Sequence, residues 1–153
     1  MSVAMDYLYI IAVSLVLAVL TVFIHMYVLY MLRGIVRRVL KSPSFHHHVM
    51  RETVVVSGLM VALCATHIAE IIVWAIGYVT IGAFSDMGNA TYFSLTMYTT
   101  VGPDGLSIST LFRGIAGFES LLGPMMVAWS TAFLVEYVTA IRSRQGLDLN
   151  PNS

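Results

Sequence analysis

Three long apolar runs leave this chain few ways to fold. The first, from Tyr7 to Leu32, holds no charged residue and one histidine, His25. The second, from Thr53 to Ile81, is interrupted only by His67 and Glu70, and the third, from Ile115 to Ile141, only by Glu119 and Glu136. At about 1.5 Å per residue, each run is long enough as a helix to cross a hydrocarbon core of roughly 30 Å. Helix is also what lipid demands, because every backbone N–H and C=O in a lone span must find its partner inside that span. Composition agrees: 58% of the residues are hydrophobic and 10% charged, and the mean hydropathy is +0.84, well outside the range of soluble domains. The expected class is an all-α membrane protein with three transmembrane helices. A formal net charge of zero gives no footing for nucleic-acid binding.

The first run opens at Asp6 and closes at Arg33 with no small-residue cleavage site, so it reads as a retained span and not a signal peptide. Of the eight Lys and Arg residues, all but Arg113 flank the same ends of the three runs. The positive-inside rule then puts the 34–52 linker and the C-terminus in the cytoplasm and the N-terminus outside, in a multi-pass plasma-membrane protein. Pro43 breaks any helix in that linker. Arg33, Arg37, Arg38 and Lys41 are suited to anionic lipid head groups. The run His46, His47, His48 reads as a solvated polar face whose bases titrate near neutral pH. Tyr7, Tyr9, Tyr27, Tyr30, Trp74 and Tyr78 stand near span ends, where interfacial aromatic belts form. Cys64 is the single cysteine; it is expected to be a small buried hydrophobe.

Between the second and third runs lies the segment from Asp86 to Arg113. Its apolar part, "ATYFSLTMY", is too short to cross and reads as a re-entrant helix, followed by "TTVGPDG". Such a helix aims the partial negative charge of its C-terminus into the membrane, where it favours a cation. The extended backbone after it is tolerable at that depth only if it lines water or is buried in protein.

The run "YFSLTMYTTVG", followed by a span with an early glutamate and glycine, resembles the pore module of two-transmembrane potassium-type channels. The segments "HIAEIIVWA" and "AWSTA" are similar to those of small bacterial members of this ion-channel family that carry an added N-terminal span. The resemblance covers roughly the last two thirds of the chain. It implies an N-terminal transmembrane helix (1–33), a basic cytoplasmic linker (34–52), a pore module (53–144) and a short cytoplasmic tail (145–153). Within the module, 53–81 is the outer helix, Asn89 to Tyr98 the pore helix, Thr99 to Gly105 the selectivity filter, and 115–141 the inner helix. It further implies a homotetramer that passes monovalent cations, potassium foremost, with Thr100, Val101 and Gly102 holding the permeant ion and no other cofactor. Carbonyl oxygens from four such loops replace an ion's hydration shell in potassium channels.

The family pattern is "TTVGYGD", and here Pro103 and Asp104 break it. Aligned without a gap, Pro103 replaces the tyrosine, Asp104 the second glycine and Gly105 the aspartate. With a one-residue insertion, Gly105 takes the second glycine's place instead. Proline removes an N–H and steers Gly102 toward extended backbone. A ring of Asp104 carboxylates would add negative charge at the mouth. The expectation is a cation pore with altered outer sites, whose potassium selectivity is weakened or whose preference has shifted.

A charge at the centre of a lone span costs about 2.5–3.5 kcal/mol on insertion scales, so His67, Glu70 and Glu119 call for partners. His67 and Glu70 are three apart and share a helix face, with Trp74 one turn on. They are expected to brace the loop from behind, with Glu119 reaching the same region. A competing reading takes His67, Glu70 and His25 as ligands of an intramembrane metal, although the chain has no HExxH motif and no clear third and fourth ligand. Gly114, Gly117, Ser120 and Gly123 recur every third residue, a stripe that permits close helix approach. Gly123 and Pro124 form a candidate hinge, with Met125, Met126, Ser130 and Thr131 candidates to line a cavity below it. No arginine ladder marks a voltage sensor. Passive conduction without catalysis is the expected function; the alternative is a non-conducting membrane partner or regulatory subunit.

Overall fold

A computed structural model describes residues 3–41 and 49–144 as four α-helices and one short 3-10 turn. Helix α1 spans Val3–Lys41, α2 Val49–Thr80, α3 Met87–Tyr98 and α4 Arg113–Arg144, with the 3-10 turn at Thr110–Phe112 leading into α4. Helices α1, α2 and α4 are each long and apolar enough to cross a membrane. The short α3 is tucked between α2 and α4, and α1 packs on both of those long helices.

Two apolar clusters hold the bundle at either end. One joins Ile10 and Leu17 of α1, Trp74 and Tyr78 of α2, Phe93 of α3 and Ile115 of α4. The other joins Leu29 and Leu32, Leu59 and Leu63, and Phe133 and Tyr137. Lipid tails are as apolar as these side chains, so close packing, not escape from water, selects this arrangement. At Gly77 the packing is tight: a methyl group there would lie 2.6 Å from Leu17 Cδ1. Hydroxyls inside the bundle are satisfied locally, with Ser14 donating to the Ile10 carbonyl and Thr21 to that of Leu17.

The basic stretch from Arg33 to Lys41 continues α1 without interruption, since nothing in it before Pro43 stops a helix. Several expectations need correction. Trp74 and Tyr78 are fully buried and so are not members of an aromatic belt, whereas Tyr7, Tyr9, Tyr27 and Tyr30 are exposed. Met126 and Ser130 are buried within the chain's own bundle, while Met125 and Thr131 face outward. Cys64 is exposed, not buried, because the inner face of α2 is taken by Leu63 and His67 on either side of it in the helical register. The triple histidine 46–48 lies outside the described residues.

Candidate functional site

Helix α3 begins where Asp86, in extended conformation, accepts a hydrogen bond from the Asn89 N–H at 2.8 Å, an N-cap that fixes the start. It ends at Tyr98, and the next turns of backbone fold back on it: Thr99 N–H donates to Leu95 O, Thr100 N–H to Met97 O and Gly102 N–H to Thr96 O. Thr100 has φ +60, uncommon outside glycine, and Gly102 and Gly105 have φ +84 and +72. Asp104 is not among the positive-φ residues. Thr99, Thr100, Val101 and Asp104 are exposed on the single chain, Val101 at 78%.

Directly behind this loop is a buried polar network drawn from all four helices. His25 of α1 donates from Nδ1 to Glu70 Oε1 of α2 at 2.9 Å, both side chains fully buried. His67 Nδ1 lies 3.2 Å from Glu70 Oε2 and 2.9 Å from the Tyr98 hydroxyl. Tyr98, the last residue of α3, donates a short hydrogen bond to Glu70 Oε2. Ser130 of α4 stands between the two imidazoles, its Oγ 3.1 Å from His67 Nε2 and 3.4 Å from His25 Nε2. The rings of His25 and His67 are 5.4 Å apart, and Trp129 lies the same distance from His25.

A second network holds the middle of α3. Glu119 of α4, fully buried, accepts from the Tyr78 hydroxyl at 2.6 Å and from Ser94 of α3 at 2.5 Å. Ser94 Oγ also lies 2.8 Å from the Ile71 carbonyl of α2. Tyr78 in turn meets Phe93 edge-on with ring centroids 5.2 Å apart. A buried carboxylate deprived of such donors would cost several kcal/mol, so α3 is fixed to α2 and α4 at two levels.

The expected pair His67 and Glu70 therefore exists, and it touches the last residue before the loop. Glu119 does not join that pair; it holds α3 one level away. Trp74 faces α1, donating from Nε1 to Thr21 at 2.9 Å. Gly123 is buried where α4 meets α3, and a methyl group there would collide with the backbone carbonyl of Tyr98. Pro124 sits inside the unbroken α4 and is exposed. Arg33 pairs with Glu136 at 3.3 Å across α1 and α4, both largely exposed, an arrangement worth little in stability. Five participants had no assigned role in loop support from sequence: His25, Tyr98, Ser94, Tyr78 and Ser130. Each is polar within an apolar run, which is a signal that a partner is needed but not which one.

The chain thus combines an exposed, glycine-punctuated loop with a short helix held from behind by two polar networks. No protein-family model, curated protein or solved structure matches it.

Proposed function

We propose that this chain is the protomer of a tetrameric cation channel of the potassium-channel type, with α3 as a re-entrant pore helix and Thr99 to Gly105 as the filter loop. One observation carries the reading. Helix α3 starts at Met87, shortly after the end of α2 at Thr80, yet its other end, Tyr98, meets His67 and Glu70 midway along α2. The same end meets Gly123, about a third of the way along α4. A chain that descends half the depth of its neighbouring spans and then returns to the start of α4 has a re-entrant path, and such backbone requires water or protein around it.

In this reading the Thr99–Gly102 backbone binds the dehydrated ion and Asp104 concentrates cations at the mouth. The positive φ at Gly102 and Gly105 supports the alignment in which Gly105 takes the second glycine's place and Asp104 is inserted before it. The outer carbonyl positions then differ from those of a strict potassium filter, and selectivity is weakened. His67, Glu70 and Glu119 brace α3, and Trp74 ties α2 to α1 behind them. The channel lies in the plasma membrane with Arg33, Arg37 and Arg38 toward anionic lipid on the cytoplasmic side.

Reversal potential in proteoliposomes, with potassium on one side and sodium on the other, tests this directly. The expected result is a cation current that reverses well short of the potassium equilibrium potential and whose amplitude falls on Asp104→Asn. Strict potassium selectivity would overturn the account of the filter's outer half. Absence of current from correctly assembled protein would overturn the channel itself.

A further inference from the structure

We propose that His25, His67, Glu70 and Tyr98 form a site for one divalent first-row transition ion, zinc being the best fit, which clamps α1, α2 and α3 together. The ligating atoms of His25, His67 and Glu70 all lie within 4.8 Å of one another. Three separations, 2.9 Å from His25 Nδ1 to Glu70 Oε1, 3.2 Å from His67 Nδ1 to Glu70 Oε2 and 2.9 Å from His67 Nδ1 to the Tyr98 hydroxyl, fall a little short of the edge of a zinc tetrahedron, and Tyr98 and Glu70 Oε2, in short hydrogen-bond contact, must part further. With metal–ligand bonds near 2.0–2.1 Å, that edge is about 3.3 Å. Small outward movements of the side chains admit the ion.

The donor chemistry suits a dry site. Two imidazoles, a carboxylate and a phenol make a borderline N2O2 set, which favours zinc over the hard cations calcium and magnesium. Binding forms a zinc–oxygen bond at Tyr98 and breaks its O–H bond, the proton leaving to water. Phenolate and carboxylate together then cancel the two positive charges, so no net charge is buried in lipid. Each histidine ligates through Nδ1 and carries its proton on Nε2.

Ser130 supplies the strongest indication. Its single hydroxyl proton can serve only one of two imidazole Nε2 atoms, yet both point at it. In the ion-free network opposite tautomers of the two rings satisfy both Nε2 atoms, His67 Nε2–H donating to Ser130 Oγ and Ser130 O–H to His25 Nε2, but His67 Nδ1 then carries no proton and competes with Glu70 Oε2 for the single proton of Tyr98. With an ion on the Nδ1 side, both Nε2–H groups donate to the two lone pairs of Ser130 Oγ, the outer-shell bond that ligating histidines ordinarily make. An added proton on one imidazole meets the same hydrogen-bond count and is the competing occupant. The surroundings are apolar, with Ile71 and Met126 packed beside Tyr98, and entry is past His67, the only member of the set with an accessible edge, at 17%.

This site does not depend on the pore reading, and its test involves no ion flux. The full chain is purified in detergent with His46, His47 and His48 replaced by Gln and Cys64 by Ser, removing other soft ligands. It is stripped with chelator, exposed to zinc, and its metal content measured. About one zinc per chain is expected, with a rise in unfolding temperature, as follows when a ligand binds only the folded state. Cobalt in place of zinc should give the intense visible bands of tetrahedral coordination. Glu70→Gln should lower bound zinc by roughly tenfold or more, and Ser130→Ala, which leaves every ligand in place, should weaken zinc binding by roughly tenfold. Failure of the intact network to take up zinc while its helicity is retained would overturn the proposal and leave the proton as occupant. Zinc uptake unchanged by both substitutions, or a pale octahedral cobalt spectrum, would overturn it equally.

Discussion

Gly123 shows how much one hydrogen atom in place of a methyl group can decide. Its Cα approaches the Tyr98 carbonyl so closely that a Cβ has no room, and the obstacle is backbone, which cannot rotate away. Gly123→Ala is therefore expected to destabilise the protein by about 1–3 kcal/mol, the usual cost of overpacking. Gly117→Ala, which meets nothing within 4 Å, should be neutral or slightly stabilising, since alanine is the better helix former. Thermal unfolding of both variants in the same detergent checks the contrast; equal effects would mean that α3 and α4 are not in contact there. The repeat of small residues from Gly114 to Gly123 was legible in the sequence, but which of them bears a contact was not, because that depends on a helix more than twenty residues away in the chain. The same limit governs the buried network. His67 and Glu70 share a face at a spacing of three, so their pairing could be read locally. His25 reaches Glu70 across 45 residues and Ser130 reaches His67 across 63, separations over which no periodicity speaks.

Among the helices, α3 is the shortest and has the clearest start signal. Its twelve residues are near the length at which isolated helices are marginal, so its cap and its anchors carry a larger share of its stability than they would in α2 or α4. Asp86→Ala should remove the bond to the Asn89 N–H and cost about 1 kcal/mol, while Asp86→Asn, an equally good cap, should cost little. Chemical or thermal unfolding resolves the two, and a full loss with Asn would assign the residue to charge instead of capping. Element boundaries were readable where the physics is local. The three long helices follow from run length alone, and the segment read as starting at Asn89 begins two residues earlier, at Met87. The basic stretch after the first apolar run is also helical as far as Lys41. Arg33 to Lys41 is basic, but arginine, leucine and lysine are good helix formers, and charge alone does not end a helix that is leaving the membrane. Pro103 was expected to draw Gly102 toward extended backbone, yet Gly102 has φ +84, with its N–H held by Thr96 O. A local hydrogen bond and glycine's freedom at positive φ outweigh the neighbour's preference.

For the whole molecule, the question is what closes around the loop. A single chain leaves Thr99, Thr100 and Val101 exposed at the level where α3 meets the middle of α2. If that level lies within the bilayer, unpaired loop carbonyls cannot face lipid, where each would cost several kcal/mol. The outward surface of α4 is also uncovered by its own chain, with Leu121, Met125 and Val135 more than half exposed, while α1 and α2 occupy its other side. Further copies of the chain arranged about the loop remove both problems at once, and closed cyclic symmetry is the ordinary way identical chains do so. Mass measured in a mild detergent, by native mass spectrometry or light scattering, should correspond to four chains. Val101→Asp, which would place a charge where the proposed copies converge, should shift the population toward smaller species while leaving the helix content of each chain unchanged. A stable monomer from the unsubstituted chain would leave the loop with no means of enclosing an ion, because one loop supplies carbonyls on one side only.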